Sequence, residues 1–567
     1  MGRRADRPWR WVLLGLAGVA WASGEPWRVR FVDVAPAAGL VHPTVYGGEE
    51  TKRFIIETNG SGVAWIDVDD DGWIDALVPG GTRLVPGERR EDPAIAAAGS
   101  TTRLYRNRKD GTFADITAGS GLGGTRWASG VCVGDYDNDG RTDLLITAYG
   151  TSRLYRRTAP GRFEDATGGA GLPTEGVRWG SGCSFLDYDR DGRLDLFVAH
   201  YLSLDLASAP EPGQGVNCLW KGLAVNCGPK GLPTDTNVLY RNEGNGTFRD
   251  VSEASGIASV RNRYPMTALA LDADEDGWVD LYVASDSTAA ILYRNNGDGT
   301  FTDVGIPSGA ALSEQGAPQA GMGVAAGDFN GDGRLDLFKT HFADDIPALY
   351  RAVGRGRFED VATAAGLAVQ NRYVEWGAAM ADFDNDGWQD LLYVTGNVYP
   401  EVERHFPQYP HLSPTIVFRN RGDGSFEDVS DRSGDGATTP RSSRGAAVGD
   451  FDRDGDLDLL VMNMNAPPAL LRNDLRGDRH WLIVRLEGTV SNRSAIGATV
   501  RVTAGGRTQA RAVLSQSSYQ SADTLSVHVG LGTHPRAERV EVRWPSGRTS
   551  HVEGVAADQE ISIREPD

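Results

Sequence analysis

The sequence predicts an all-β protein: a seven-bladed β-propeller over residues 27–474, followed by a β-sandwich over 479–567. Three observations predict it. The pattern Asp-x-Asp/Asn-x-Asp-Gly-x-x-Asp recurs seven times, starting at Asp67, Asp135, Asp187, Asp272, Asp328, Asp382 and Asp450. A second motif alternates with it: Leu-Tyr-Arg-Asn, a Gly-rich turn, then Phe-x-Asp-Val, as in Leu292 to Val304. The repeat stops after Leu470-Leu-Arg-Asn473, and alternating apolar runs without acidic loops take over.

Each repeat supplies four strands. An apolar strand enters the acidic loop, as in Gly323 to Asp328, and a second leaves it at Asp336. Gly-Asp-Gly between the Leu-Tyr-Arg-Asn and Phe-x-Asp-Val runs is a hairpin signal. Four strands at a period of some tens of residues read as propeller blades. Seven Phe residues open the last strand, at Phe31, Phe113, Phe163, Phe248, Phe301, Phe358 and Phe426. Phe31 precedes the first acidic loop, so the N-terminal segment supplies the outer strand of the final blade and closes the ring. In the C-terminal unit Trp481–Glu487, Ala498–Thr503, Leu525–Val529 and Val540–Trp544 alternate as strands. Gln516-Ser-Ser-Tyr519 reads as a polar loop, and local spacing places no general base beside its serines.

Carboxylates at positions 1, 3 and 5 converge when the chain curls round a cation, Gly at 6 permits the turn, and an acid at 9 closes it. The predicted ligands are Asp67, Asp69, Asp71 and Asp75; Asp135, Asp137, Asp139 and Asp143; Asp187, Asp189, Asp191 and Asp195; Asp272, Asp274, Asp276 and Asp280; Asp328, Asn330, Asp332 and Asp336; Asp382, Asp384, Asp386 and Asp390; and Asp450, Asp452, Asp454 and Asp458. Hard oxygen donors in this number suit Ca²⁺, up to one per blade, rather than zinc or copper. The formal net charge is −20. Without residues 1–22 it becomes about −23, and seven Ca²⁺ would bring it to about −9. The acidity is thus largely a metal load, and the absence of a basic stripe argues against nucleic acid.

Met1 to Gly24 reads as a secretory signal: Arg3, Arg4, Arg7 and Arg10 precede an apolar run from Trp11 to Ala22, with Ala20-Trp-Ala22 as a cleavage site. The run is short for a membrane span, so no stable insertion is expected after cleavage. The mature chain is expected to be secreted, periplasmic or extracellular, and monomeric. Four Cys fit an oxidising compartment. Cys218 and Cys227, in one insertion, are expected to bridge. Cys132 and Cys183, just ahead of loops two and three, either pair across neighbouring blades or remain two buried thiols.

From the last Asp of each loop to the next Leu-Tyr or its equivalent, three connections are long, 29, 44 and 27 residues, against 11 to 13 in the other four. All three fall on the face opposite the acidic loops, and long loops on a rigid scaffold are the usual place for binding. The same face collects Arg126, Arg178, Arg263 and Arg441, Trp127 and Trp179, and His200, Asp286 and His341. Together they could form a mouth for an anionic or sugar-like ligand, or hold a second metal. The competing structural reading pairs the arginines with neighbouring acids and has the histidines cap backbone.

The acidic repeats resemble FG-GAP/VCBS repeats of the type found in integrin α propellers. The C-terminal unit resembles an ASPIC/UnbV domain through His480-Trp-Leu, Gly488 to Arg493, Ile496-Gly-Ala498, Gln516 to Tyr519, Gly530-Leu-Gly532 and Val542 to Gly547. With the insertion motifs Cys218 to Gly222 and Cys227 to Pro233, the chain is identified as a member of the cartilage acidic protein 1-like family. The resemblance implies a secreted Ca²⁺-binding propeller packed on a transthyretin-like β-sandwich, and implies little about activity. Gly396-Asn397-Val-Tyr-Pro400 departs from the Asn-Gly-His-Val-Tyr-Pro often seen in that family by lacking its His. The functional expectation is an extracellular recognition or adhesion module that binds protein or glycan on the long-loop face. An exported enzyme using His200 or His341 and a purely structural surface protein are the alternatives; no motif specifies a reaction.

Overall fold

The computed structural model describes residues 27–91 and 101–567; the signal segment lies outside them. The chain is all-β, and each repeat forms a four-stranded antiparallel sheet with its strands in chain order. The first comprises Ala64–Ile66, Asp75–Val78, Arg103–Asn107 and Phe113–Asp115. The fourth comprises Pro265–Leu271, Asp280–Ser285, Ile291–Asn295 and Phe301–Asp303. The last sheet has Ser443–Gly449, Asp458–Asn463 and Ala469–Asn473, and borrows Phe31–Asp33 as its outer strand, with Phe31 opposite Asn473. Inner strands pack on one another around the molecule, and Ser443–Gly449 packs on Ala64–Ile66, which closes the ring.

The inner strands meet at a waist made of glycine. Gly62, Gly130, Gly182, Gly323, Gly377 and Gly445 each stand five residues ahead of the first loop Asp, and Thr267 takes the seventh place. A Cβ at Gly323 would lie 2.1 Å from the Trp376 carbonyl oxygen, and one at Gly182 would lie 2.6 Å from that of Met266. Five of the inner strands slip register here, for example between Ala128 and Val131 and between Glu375 and Ala378. The bulges turn the strand ends toward the axis. Gly323→Ala is expected to cost about 1–3 kcal/mol through overpacking, read as a lower midpoint in denaturant unfolding.

After Asn473 the chain builds two further sheets. Val527–Gly532, His480–Glu487 and Gln559–Arg564 form one, with His480–Glu487 and Gln559–Arg564 running parallel. Arg507–Ala512, Thr499–Ala504, Arg536–Arg543 and Thr549–Ala556 form the other. Their apolar residues, among them Ile496, Val500 and Trp544, share one cluster with Tyr136, Phe185 and Leu194 of the second and third repeats. The two units are therefore joined by a common core.

The C-terminal unit sits on the acidic loops, and all seven touch it. Arg485 donates to the Gly72 carbonyl (3.1 Å), Asp135 N–H to Ser494 Oγ (2.9 Å) and Ala510 N–H to Asp328 Oδ2 (3.1 Å). Arg543 pairs with Asp272 (3.0 Å), Arg479 with Asp384 (2.7 Å), and His528 Nε2 meets the Gly455 carbonyl (2.9 Å). Gly192 of the third loop lies against the Val490 carbonyl.

From this unit the segment 515–523 enters the axial channel. The polar Gln516–Tyr519 stretch is fully buried rather than lying open on the surface. Inner strands leave one row of N–H and C=O groups facing the axis, and an unpaired buried amide is costly. The segment answers that row strand by strand. Ala522 N–H donates to the Val63 carbonyl (2.9 Å), Val131 N–H to Gln520 O (3.0 Å) and Val324 N–H to Ser518 O (2.6 Å). Cys183 and Ala268 N–H donate to Gln516 Oε1 (3.1 and 3.3 Å), and Val448 N–H to Asp523 Oδ1 (2.6 Å). Tyr519 meets Trp376 edge-on, with ring centroids 4.9 Å apart. Every repeat thus contacts one loop of the C-terminal unit.

Candidate metal loops and the opposite mouth

The acidic loops share one geometry. The residue at position 4 is left-handed in each, as at Asp70 (φ 58°) and Glu275 (φ 65°), and so is the Gly at position 6. Those two reversals curl the backbone so that the Gly N–H donates to the position-1 carboxylate, at 2.9 Å for Gly72 to Asp67 and 2.7 Å for Gly387 to Asp382. The position-9 carboxylate accepts the position-2 amide and an amide of the third strand, as Asp75 does from Val68 (2.9 Å) and Asn107 (2.7 Å). The Asn of Leu-Tyr-Arg-Asn reaches into the preceding repeat: Asn242 Nδ2 donates to the Tyr136 carbonyl and Asn295 Nδ2 to that of Tyr188, both at 2.8 Å. Each loop is therefore fastened to its own sheet, and in five repeats the Asn ties it to its neighbour; Arg157 and Ala352 take that place in the second and fifth.

Carboxylate oxygens of Asp135, Asp137 and Asp143 lie within 4.8 Å of one another, as do those of Asp187, Asp189 and Asp195 and of Asp382, Asp384 and Asp390. In the first and fourth loops the trio is instead positions 1, 3 and 5: Asp67, Asp69 and Asp71, and Asp272, Asp274 and Asp276. At position 3, Oδ1 of Asp69, Asp189, Asp384 and Asp452 is buried and accepts no hydrogen bond. A buried carboxylate oxygen without a donor is costly, and a hard cation at that point would satisfy it. The all-oxygen donor set fits Ca²⁺, with the carboxylates at 1, 3, 5 and 9 as the residues that would hold it.

Without a metal these like charges face each other at close range. The structure gives them a partner that the spacing of the acids did not indicate, the Arg of Leu-Tyr-Arg-Asn. Arg156 Nε meets Asp137 Oδ2 at 2.6 Å, and Arg241 Nε meets Asp189 Oδ2 at 2.8 Å. Compensation is incomplete. Burial pushes Asp75 and Asp187 up to about 7 and Asp143 and Asp336 up to about 8. A carboxyl whose folded value exceeds its unfolded one binds extra protons in the native state, so stability falls as pH rises through the folded value. The chelated protein is accordingly expected to melt several degrees higher at pH 6 than at pH 8.5, a difference that scanning calorimetry with a chelator present would record.

Both disulfides are formed. Cys218 pairs with Cys227 as expected, and Cys132 pairs with Cys183 across the second and third repeats, which settles the alternative left open by the sequence. Among the described residues no helix is long and apolar enough to cross a membrane.

On the face away from the acidic loops the three long connections pack together. Glu211 of the second binds Arg89 of the first (2.7 Å) and Arg53 (2.6 Å). Trp220, inside the Cys218–Cys227 loop, meets Tyr409 of the third edge-on at 4.8 Å. Lys221 and the Tyr409 hydroxyl both bind Asp344, each at 2.7 Å. Beneath them lies a cavity of about 320 Å³ whose walls come from the first, third, fourth, fifth and sixth repeats, Asp286 and Asp345 among them. Asn59, Met266 and Trp376, which touch Tyr519 from the channel side, are part of its lining, so the axial segment supports the cavity floor.

Of the side chains predicted to form the mouth, the structure brings only Asp286 to this cavity. Arg178 grips Asp235 with both nitrogens (2.7 and 2.8 Å), Arg441 pairs with Asp33 (2.8 Å) and Arg126 with Glu91 (2.6 Å), while Arg263 donates to the Asn262 carbonyl. Trp127 and Trp179 are buried in the apolar core. His200 Nδ1 lies 3.1 Å from the Thr236 carbonyl and His341 Nδ1 lies 3.0 Å from that of Ile346, each in its own repeat's wall. Burial holds His200 down at about 3, so it stays neutral. The physical reason is strand position: residues at a strand end satisfy local carbonyls and acids before they reach the axis. Three of the side chains that do line the cavity, Trp220, Lys230 and Tyr399, stand in the insertions. Their signal was the loop length, since insertions carry no repeat spacing to place them.

The fold and loops define a class: an all-β chain of FG-GAP-type repeats carrying acidic loops, with a C-terminal β unit. FG-GAP-like repeats match at residues 90–146, 135–198, 272–338 and 412–461, and the ASPIC and UnbV model matches 488–567. The chain belongs with the cartilage acidic protein 1-like proteins. It is 30% identical to cartilage acidic protein 1 of Xenopus tropicalis over 281 residues, 47% of this chain and 40% of the relative. It is 28% identical to the human protein over 335 residues, 57% and 47% of the two chains. It is 26% identical to the mouse protein over 398 residues, 68% and 54%. The chain spans about half the length of these relatives. Solved structures similar in outline include an Agrocybe aegerita lectin (TM-score 0.34, 18% identity, 66% of this chain and 88% of that one) and the Bacillus licheniformis rhamnogalacturonan lyase (TM-score 0.36, 10% identity, 76% and 75%).

Proposed function

We propose that this is a secreted, calcium-loaded seven-bladed propeller capped by a β-sandwich, and that it works as an extracellular recognition or adhesion module. One ion per acidic loop, up to seven in all, is the expected load. The carrying observation is the division of faces. The acidic loops all contact the C-terminal unit, which leaves tips such as Asp139 and Asp276 exposed, whereas the opposite face presents three long loops packed around an open cavity. Loops that are contacted and fastened act as clasps, and the exposed concave face is where a partner would dock. The partner expected there is an extracellular protein or glycan.

The test is binding of the calcium-loaded full chain to arrays of glycans and of extracellular proteins, repeated with two altered proteins. Shortening the connection between Leu204 and Pro233 should abolish a specific interaction. Reversing the exposed charge of Glu553, on the outer strand Thr549–Ala556 of the C-terminal unit, with Glu553→Lys should leave it intact. The opposite pattern would overturn the assignment of faces.

A further inference from the structure

Two carboxylates, Asp286 and Asp345, line the mouth cavity, and among the described residues neither has a cation within 4 Å. Asp286 is 7% exposed. Its oxygens accept from the Tyr201 hydroxyl (2.7 Å) and the Ser287 hydroxyl (2.9 Å). Asp345 accepts from the Ala320 amide (3.3 Å). All three donors are neutral, whereas at the rim Asp344 holds the Lys221 ammonium at 2.7 Å. Lys230, exposed at the cavity edge, lies within electrostatic reach of both carboxylates, and the buried Lys339, which donates to the Tyr350 hydroxyl (2.9 Å), is shared between Asp345 and Asp360, so three acids face two lysines. Among the aliphatic and small polar residues of the wall stand the aromatic side chains of Trp220, Tyr399 and Tyr201. Aromatic faces attract cations through the ring quadrupole, and the attraction grows as water is excluded. The same corner already displays this chemistry, with Lys221 Nζ 5.0 Å from the Trp220 ring and 4.8 Å from that of Tyr409.

We propose that the mouth cavity is a binding site for an organic ammonium group, held by Asp286 and Asp345 inside a box formed by Trp220, Tyr399 and Tyr201. An anion would meet two carboxylates there, and a neutral polyol would leave their charge uncompensated. At about 320 Å³ the cavity admits a small amine or the end of a lysine side chain. The site rests on the recognition face argued above and specifies its ligand chemistry.

Titration calorimetry of the calcium-loaded full chain tests it, with n-butylammonium and tetramethylammonium as probes and n-butanol and neopentane-type alcohols as neutral controls. The ammonium ions should bind at least 100-fold more tightly than the neutral controls. Asp286→Asn, which can still accept the Tyr201 hydroxyl, should weaken them tenfold or more, and Asp345→Asn supplies the same reading should the first variant misfold. Lys230→Ala should strengthen binding about threefold by removing the competing charge. A short lysine-containing peptide and its norleucine counterpart distinguish a side-chain source from a free amine. Equal binding of the neutral controls, binding of methyl glycosides in their place, or unchanged affinity in both Asp variants would overturn the proposal. Loss of ammonium binding with retention of a loop-dependent array partner would sink this inference alone and leave the face assignment standing.

Discussion

Stripping calcium is expected to lower the melting temperature by roughly 15–20 °C. A loop of sensor-range affinity, about 10 µM, in 1 mM calcium stabilises the native state by about 2.7 kcal/mol. Seven such loops reach on the order of 19 kcal/mol, and unfolding of a ring of about 450 residues carries an entropy near 1 kcal/mol per kelvin. The size of the effect follows from how the loops are built. Their position-1 and position-9 carboxylates are locked onto backbone amides, and position-3 oxygens are buried without a donor, so the charge cannot turn away to water when the ion leaves. Calorimetric melts in calcium and in chelator check the claim. An unchanged melt would remove structural calcium from the account.

The second large effect concerns the axial segment. Replacing Gln516–Ser521 with a Gly/Ser stretch of equal length is expected to split a single cooperative melt into two transitions. The segment satisfies inner-strand amides from all sides of the channel, and each buried amide left without an acceptor costs about 1–3 kcal/mol. The amides of Cys183 and Ala268 lose their acceptor with the Gln516 side chain, and those of Val131 and Val324 bond backbone carbonyls whose position the flexible stretch no longer fixes. Tyr519→Ala alone should cost about 3–5 kcal/mol by emptying the space beside Trp376, in the range of large-to-small aromatic changes in cores. It should also weaken any ligand of the mouth, since the Tyr519 neighbours Asn59 and Trp376 line that cavity. A single transition at the normal temperature in the replaced protein would show that the core shared by the two units suffices without the plug.

Much of the architecture was legible because the repeat is local. An acidic loop, its Gly and the strand on either side lie within about a dozen residues, and a fixed spacing reveals them whatever the fold does later. The same locality made the N-terminal strand exchange readable, since counting Phe segments against acidic loops leaves Phe31 to pair beside Asn473. The glycine waist was visible too, as Gly five residues before the first Asp in six repeats, but its meaning needed the neighbouring strand to be in place. The mouth was misread for the opposite reason. Arg178 and His200 look exposed in a strand diagram, yet Asp235 and the Thr236 carbonyl, supplied by an insertion of unspecified path, take them up.

The sequence by itself determined the class of fold, the oxygen-donor set of the acidic loops and the face on which the insertions lie, because each depends on short spacings and on hydrogen-bonding and packing rules that hold locally. Only the tertiary structure decided that Gln516–Ser521 fills the channel, that the C-terminal unit touches every acidic loop, and that Asp286 and Asp345 line one cavity. Those arrangements join residues tens to hundreds of positions apart, and the free energy that forms them comes from desolvating polar groups and apolar surface that no local pattern in the chain records.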